Sequence, residues 1–300
     1  MNMFSNLPEI KEWESEIAEN KETAIEIRKK DIKNYERYLR RENLADSTIK
    51  AYSNAILDFY SKHKTLTKNN LLIYKASMLD KMSPRTINLR LQGINRYLEY
   101  IHKGNMKLKF VKVQTKPFLD NVISNGDYKI LCRHLKKNNY ITFYFLVRYM
   151  CCTGARVSEV IKFKREHVEK GWMDLYSKGG KIRRLYIPTR LANETLKWLE
   201  TPETNIKEGY IFRNKNGIQI TPRGINKQLK IYAKECKCIP LETVYPHSFR
   251  HRFSLNFLEK NSNVILLSDL LGHSSVETTR IYLRQSSAEQ KALLDKIVTW

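Results

Sequence analysis

Ile87, Leu91, Ile94, Leu98 and Ile101 advance by 4, 3, 4 and 3 residues. That spacing draws one continuous apolar stripe along a helix, and a stripe this long must be covered by other helices. Ser83-Pro84 starts the helix, with proline suited to its first position, and Gly104 ends it. Partners precede it. Asp46-Ser47-Thr48 offers an N-cap for a helix whose Ile49, Tyr52, Ile56 and Phe59 or Tyr60 share a face, and Thr67 caps a shorter one containing Leu71, Leu72 and Met78. Residues 31–108 therefore read as a helical bundle. Residues 1–30 read as an N-terminal extension, helical over 8–30 with weak periodicity. The stretch NMKLKFVKVQTKPF (105–118) loses the helical period, carries four lysines and contains Pro117, and 109–118 is taken as the linker to a second domain, 119–300.

With 300 residues and 42% hydrophobic content, two folded domains are expected rather than disorder. The formal net charge of +23 favours a polyanionic partner, nucleic acid first, because each cation that neutralises a phosphate releases a counterion. A basic surface that only confers solubility is the competing explanation. The charge is spread as −2 over residues 1–30, +10 over 31–113 and +15 over the rest, so both domains are basic. Lys50, Lys62, Lys64, Lys68, Arg85, Arg90 and Arg96 are candidates for phosphates. Five cysteines make no disulfide framework and point to a reducing compartment. Cys236-Lys-Cys238 lacks the spacing and the second pair of a zinc site. Residues 1–14 carry no secretory pattern, and the apolar run Ile141–Cys152 is too short to span a bilayer and is broken by Arg148, so a cytoplasmic protein is expected.

The second domain reads as mixed but mostly helical. Helical patterning over 122–150 ends at Thr153-Gly154-Ala155-Arg156-Val157-Ser158-Glu159, where Gly154 permits a tight turn and Glu159 stands one turn beyond Arg156, placed to orient its guanidinium. Trp172–Tyr176 and Arg183–Ile187 alternate around Ser177-Lys178-Gly179-Gly180-Lys181, a β-hairpin with Lys178 at its tip. Thr189–Glu200 reads as helix, Tyr210–Ile220 as a short extended pair around Asn216-Gly217, and Thr221-Pro222 as the start of another helix.

Pro246 starts a helix that sets His247 and Arg250 one turn apart on one face, with Phe249, Phe253 and Phe257 as an apolar stripe on another. His247 and His251 have a zinc-compatible spacing, but no glutamate follows His247 and no third ligand is evident, so no metal is expected. Leu266–Leu271 reads as a short helix stopped by Gly272. Ser274-Ser-Val-Glu277 is a capping box for the next, with His273 in the turn and Tyr282 about two turns on.

TGARVSE (153–159), SKGGK (177–181), His247-Ser-Phe-Arg250, Leu270-Leu-Gly-His273 and Tyr282 resemble, in order and spacing, the tyrosine recombinase/integrase family. Ser177 stands where many relatives have glycine. The resemblance spans 119–300, and the preceding bundle is similar to the family's core-binding domain. It implies a mainly α fold with a small antiparallel β-sheet, the catalytic domain being mixed α+β. It also implies site-specific cleavage and rejoining of DNA through a 3′-phosphotyrosyl intermediate. Tyr282 would be the nucleophile, Arg156 and Arg250 the phosphate clamps, and His247 and His273 would add hydrogen bonds and proton handling. Lys178 would be the acid for the leaving oxygen, with Lys181 as the alternative, and Glu159 would support the arginine and histidine geometry. No cofactor is implied. The implied partners are double-stranded DNA carrying a specific core site and a synaptic tetramer of the protein itself, and accessory proteins are compatible with it. The short extension before the bundle fits an Xer-like or transposon-type enzyme better than a lambda-type one. The tail, 288–300, with Leu293, Leu294, Ile297 and Trp300 on one side, would dock on a neighbouring subunit or on its own domain. A type IB topoisomerase-like nicking-closing enzyme and a non-catalytic DNA-binding regulator are the competing functions.

Overall fold

The computed structural model describes residues 25–26, 29–114, 121–176, 182–214, 216–273, 275–283 and 295–298. Strand β1, Ile25–Glu26, pairs antiparallel with β2, Thr65–Leu66. These two residues correct the helical reading of 8–30. Thr23, Ile25 and Ile27 alternate with Ala24 and Glu26, a β-branched period of two that favours extended chain over helix. The remainder of that segment up to residue 24 lies outside the described residues.

Among the described residues, four helices build the first unit: α1 (Lys29–Arg41), α2 (Asp46–Lys62), α3 (Lys68–Leu79) and α4 (Pro84–Tyr100). The cap at Thr67 forms as read, its hydroxyl accepting from the Asn70 amide, and Ser83, where the next helix was read to begin, caps it through the Thr86 amide. At the start of α2 the capping position is Ala45 instead, and Asp46 is already in the first turn. The seam of α4 is core: Ile87, Leu91, Ile94 and Leu98 are buried against Tyr35, Ile56, Phe59 and Tyr74. Helix α4 ends at Tyr100, earlier than read, and a 3₁₀ turn follows at Gly104–Met106.

Much of the segment read as linker belongs to this unit, whose boundary falls after Thr115. Asn88 and Asn95 lie seven residues apart on one face of α4. Each side-chain amide exchanges a pair of hydrogen bonds with an extended backbone, Asn88 with Val111 at 2.8 Å and Asn95 with Leu108 at 2.9 Å. They replace the strand partner that residues 108–111 otherwise lack.

The second unit runs from Lys116. Its described elements are α5 (Asn125–Lys137), α6 (Ile141–Thr153), α7 (Val157–Val160), α8 (Arg165–Lys170), β3 (Trp172–Tyr176), β4 (Ile182–Tyr186), α9 (Thr189–Leu199), α10 (Pro222–Glu235), α11 (Pro246–Lys260) and α12 (Val264–Leu271). Helix α6 is the centre of the core, with Phe145, Leu146, Val147, Tyr149 and Met150 buried. Strands β3 and β4 pair antiparallel from Trp172↔Tyr186 to Tyr176↔Ile182. Residues 177–181, read as the hairpin's turn with Lys178 at its tip and including Lys181, lie outside the described residues. Of the phenylalanine stripe on α11, Phe249 is fully buried, while Phe253 and Phe257 are half-buried and pack on each other.

One expectation fails here. The segment after α12 is not a continuous α-helix but two 3₁₀ turns, Val276–Thr278 and Arg280–Leu283. Ser275 Oγ caps the first through the Glu277 amide. The β-branched run Val276, Thr278, Thr279 and Ile281 weakens the α-helical preference and allows the tighter winding.

Candidate active site

Helices α6 and α12 both end in glycines of left-handed conformation, Gly154 (φ 63°) and Gly272 (φ 61°). Arg250, from the second turn of α11, stands between the two ends. Its Nη1 donates to Gly154 O at 2.6 Å and its Nη2 to Leu271 O at 2.7 Å. Helix C-termini carry partial negative charge and unsatisfied carbonyls, so a guanidinium is their natural cap. Arg250 is 3% exposed. Burial first, then the cations Arg156 and Arg183, bring its pKa down to about 10, which leaves it charged at neutral pH.

The C-terminus of α12 takes three such caps in succession. Arg183 Nε donates to Leu270 O at 2.9 Å, Arg250 to Leu271 O, and Arg156 Nη2 to Gly272 O at 3.3 Å. Glu159 ties two of these arginines together. Its carboxylate accepts the Arg156 amide at 2.7 Å, Arg156 Nη1 at 2.8 Å and Arg183 Nη1 at 3.1 Å. Burial alone would push this carboxyl's pKa up, but Arg183 and the Arg156 amide and guanidinium hold it below the ordinary value. Among the described residues the site thus gathers three guanidiniums against one carboxylate, an excess of two positive charges that suits an anion.

The partner of His273 fixes its tautomer. Arginine can only donate, so His273 Nε2, 3.1 Å from Arg250 Nη2, accepts, and its Nδ1 carries the proton and donates to Thr279 Oγ1 at 2.8 Å. His251 Nδ1 is 2.8 Å from Tyr282 Oη. Burial and the neighbours His247 and Arg250 depress His251 to a pKa of about 4, so the imidazole is neutral, with one ring nitrogen free to accept a proton. Burial raises the Tyr282 pKa, while Ser254, Arg250 and Arg156 pull against that rise. His247, one turn before His251 with its ring centre 6.3 Å away, is likewise depressed by burial, Arg250 and Arg156.

The structure therefore brings Arg156, Glu159, His247, Arg250, His273 and Tyr282 into one cluster. Two members escaped the sequence reading. Arg183 shares a strand face with buried Leu185, whereas Arg184 points outward to Asp174 and the Trp172 ring. Strand alternation was the available signal for it. His251 was weighed only as a metal ligand beside His247, and its contact with Tyr282 depends on the fold of the last turns. Among the described residues no three His, Cys, Asp or Glu side chains group to hold a metal.

Residues 121–289 match the model of the phage integrase family. The chain belongs to that family. As a tyrosine recombinase it is a DNA strand-transferase of site-specific recombination, and the topoisomerase-like and regulatory alternatives are not favoured. It is 27% identical over 279 residues to tyrosine recombinase XerA of Pyrococcus furiosus, covering 90% of this chain and 94% of the relative. It is 24% identical to the TnP I resolvase of Bacillus thuringiensis, covering 86% and 96%. Among solved structures, the Tn1549 transposon integrase in complex with transposon right end DNA superposes with a TM-score of 0.66 at 14% identity, over 90% of this recombinase and 99% of that chain. Among the described residues no helix of the recombinase is long and apolar enough to cross a membrane.

Proposed function

We propose that Tyr282 Oη attacks a scissile phosphate at a specific core site in double-stranded DNA, forming a 3′-phosphotyrosyl link and releasing a 5′-hydroxyl, and that a second strand's 5′-hydroxyl reverses the step. The observation that carries this reading is the tyrosine hydroxyl set beside a cluster of three guanidiniums and one carboxylate. The pentacoordinate transition state carries more negative charge than the ground-state diester, and a fixed cationic excess stabilises that difference. Arg156 and Arg250 bind the non-bridging oxygens through N–H groups not engaged by the backbone carbonyls. His273 orients Arg250, and His247 donates to a phosphate oxygen. Lys178, which falls between β3 and β4 in the sequence, gives its proton to the leaving 5′-oxygen, with Lys181 as the alternative donor. Four protomers would pair two core sites, and the resolvase and transposon integrase relatives fit a mobile element as the setting.

A duplex nicked close to the cleavage position loses its 5′-hydroxyl fragment and traps the covalent adduct. The wild-type chain is expected to accumulate adduct with its cognate site, and Tyr282→Phe to form none. An adduct formed by the Tyr282→Phe variant would sink the assignment.

A further inference from the structure

We propose that His251 is the proton acceptor of the reaction: its Nδ1 takes the phenolic proton of Tyr282 as Oη bonds to phosphorus, and returns it when the strand is rejoined. The inference rests on Tyr282 being the nucleophile, and it answers a question that reading leaves open, namely where the proton goes.

Three histidines compete for the role. The Nε2 lone pair of His273 is engaged by Arg250, and its Nδ1–H by Thr279, so accepting a proton would break the bond that orients the clamp arginine. His247 is near enough to feel Arg250, Arg156 and Glu159, but the histidine bonded to the hydroxyl among the described residues is His251, at 2.8 Å. General-base catalysis asks first for that geometry. His251 follows Arg250 directly on α11, so its backbone is fixed by the same helix that holds the buried guanidinium between two helix ends. The acceptor and the clamp cannot drift apart.

The resting imidazole is neutral, and in the tautomer protonated at Nε2 its Nδ1 lone pair faces the phenolic proton across 2.8 Å. A bound phosphodiester brings one negative charge against Arg250 and Arg156. That charge opposes the cationic field on His251 and raises the histidine's basicity at the moment the phenol, bonding to phosphorus, becomes acidic. The balance closes. Oη–P forms and P–O5′ breaks, the phenolic proton moves to His251 and the Lys178 proton moves to O5′. Rejoining reverses all four, leaving enzyme and DNA with the protons they began with.

The test uses the full-length chain and the nicked duplex in single-turnover cleavage, with His251→Ala, His251→Asn and a trifluorotyrosine placed at position 282. Loss of a positioned base slows a step by about a hundredfold or more. Both histidine variants should show that deficit with DNA affinity within twofold of wild type. The more acidic fluorinated phenol needs less help to ionise and should shrink the deficit at least tenfold. Cleavage by both variants within threefold of wild type overturns the proposal, and so does a deficit of the same size with tyrosine and fluorotyrosine, which marks a structural role. His251→Asn keeps a short polar side chain if His251→Ala fails to fold. A normal His251→Ala rate alongside an inert Tyr282→Phe sinks this inference alone, whereas an active Tyr282→Phe sinks the nucleophile reading.

Discussion

Glu159 is, among the described residues, the one carboxylate set among the three guanidiniums, and its side chain is only 14% exposed. Replacing it with glutamine keeps the shape and removes the charge. Glutamine's nitrogen would then face Arg156 or Arg183, donor against donor. Glu159→Gln should lower stability by about 1–3 kcal/mol, the range for a buried charged hydrogen-bonding group, and slow DNA cleavage more than DNA binding. The effect has a pH window. The folded pKa lies below that of the unfolded chain, so the unfolded state binds the proton first as pH falls. The charge's contribution is therefore fully present above the ordinary carboxylate pKa of about 4.3 and is lost as pH falls through the folded value. Urea unfolding at neutral pH and in acid should show the wild-type advantage over Glu159→Gln shrinking below about pH 4; a gap that widens in acid would contradict it.

At the scale of elements, the end of α12 decides the geometry. A Cβ at Gly272 would lie 2.3 Å from Arg183 Cδ in a left-handed backbone conformation that disfavours any side chain. Gly272→Ala should cost more than about 1 kcal/mol, read as a lower thermal midpoint, and should reduce cleavage by displacing both Arg183 and His273. Retained midpoint and rate would show that the turn is not tightly held. The glycine stop was legible in Leu-Leu-Gly-His, as were the cap at Thr67, the helix start at Ser83-Pro84 and the α4 seam, because each is a local rule with one physical cause. The segment carrying Tyr282 was misread, since a capping box announces a helix start without saying whether the turns will be α or 3₁₀. Arg183 and His251 were passed over for a different reason. Their partners, Glu159 and Leu270 for one and Tyr282 for the other, lie 24 to 87 residues away in the chain, and only tertiary structure joins them.

For the whole molecule, the two units have separate cores, and each half of the sequence carries its own positive charge. One long polyanion engaging both would displace many counterions. Binding of the full chain to its site should weaken with a slope of log K against log salt of about −6 or steeper, the value for seven or so neutralised phosphates. A slope shallower than about −2 would mean that most of the +23 never meets the backbone of DNA. Charge this abundant tolerates the loss of single lysines.

The three arginines rest on the carbonyls of Leu270, Leu271, Gly272 and Gly154. A side-chain acceptor vanishes with one codon change, but every amino acid supplies the same main-chain oxygen. The helix that presents those oxygens can therefore exchange most of its residues over evolutionary time without unseating the cations. The grip is inherited through the path of the chain, together with the two glycines, Glu159 and the arginines themselves.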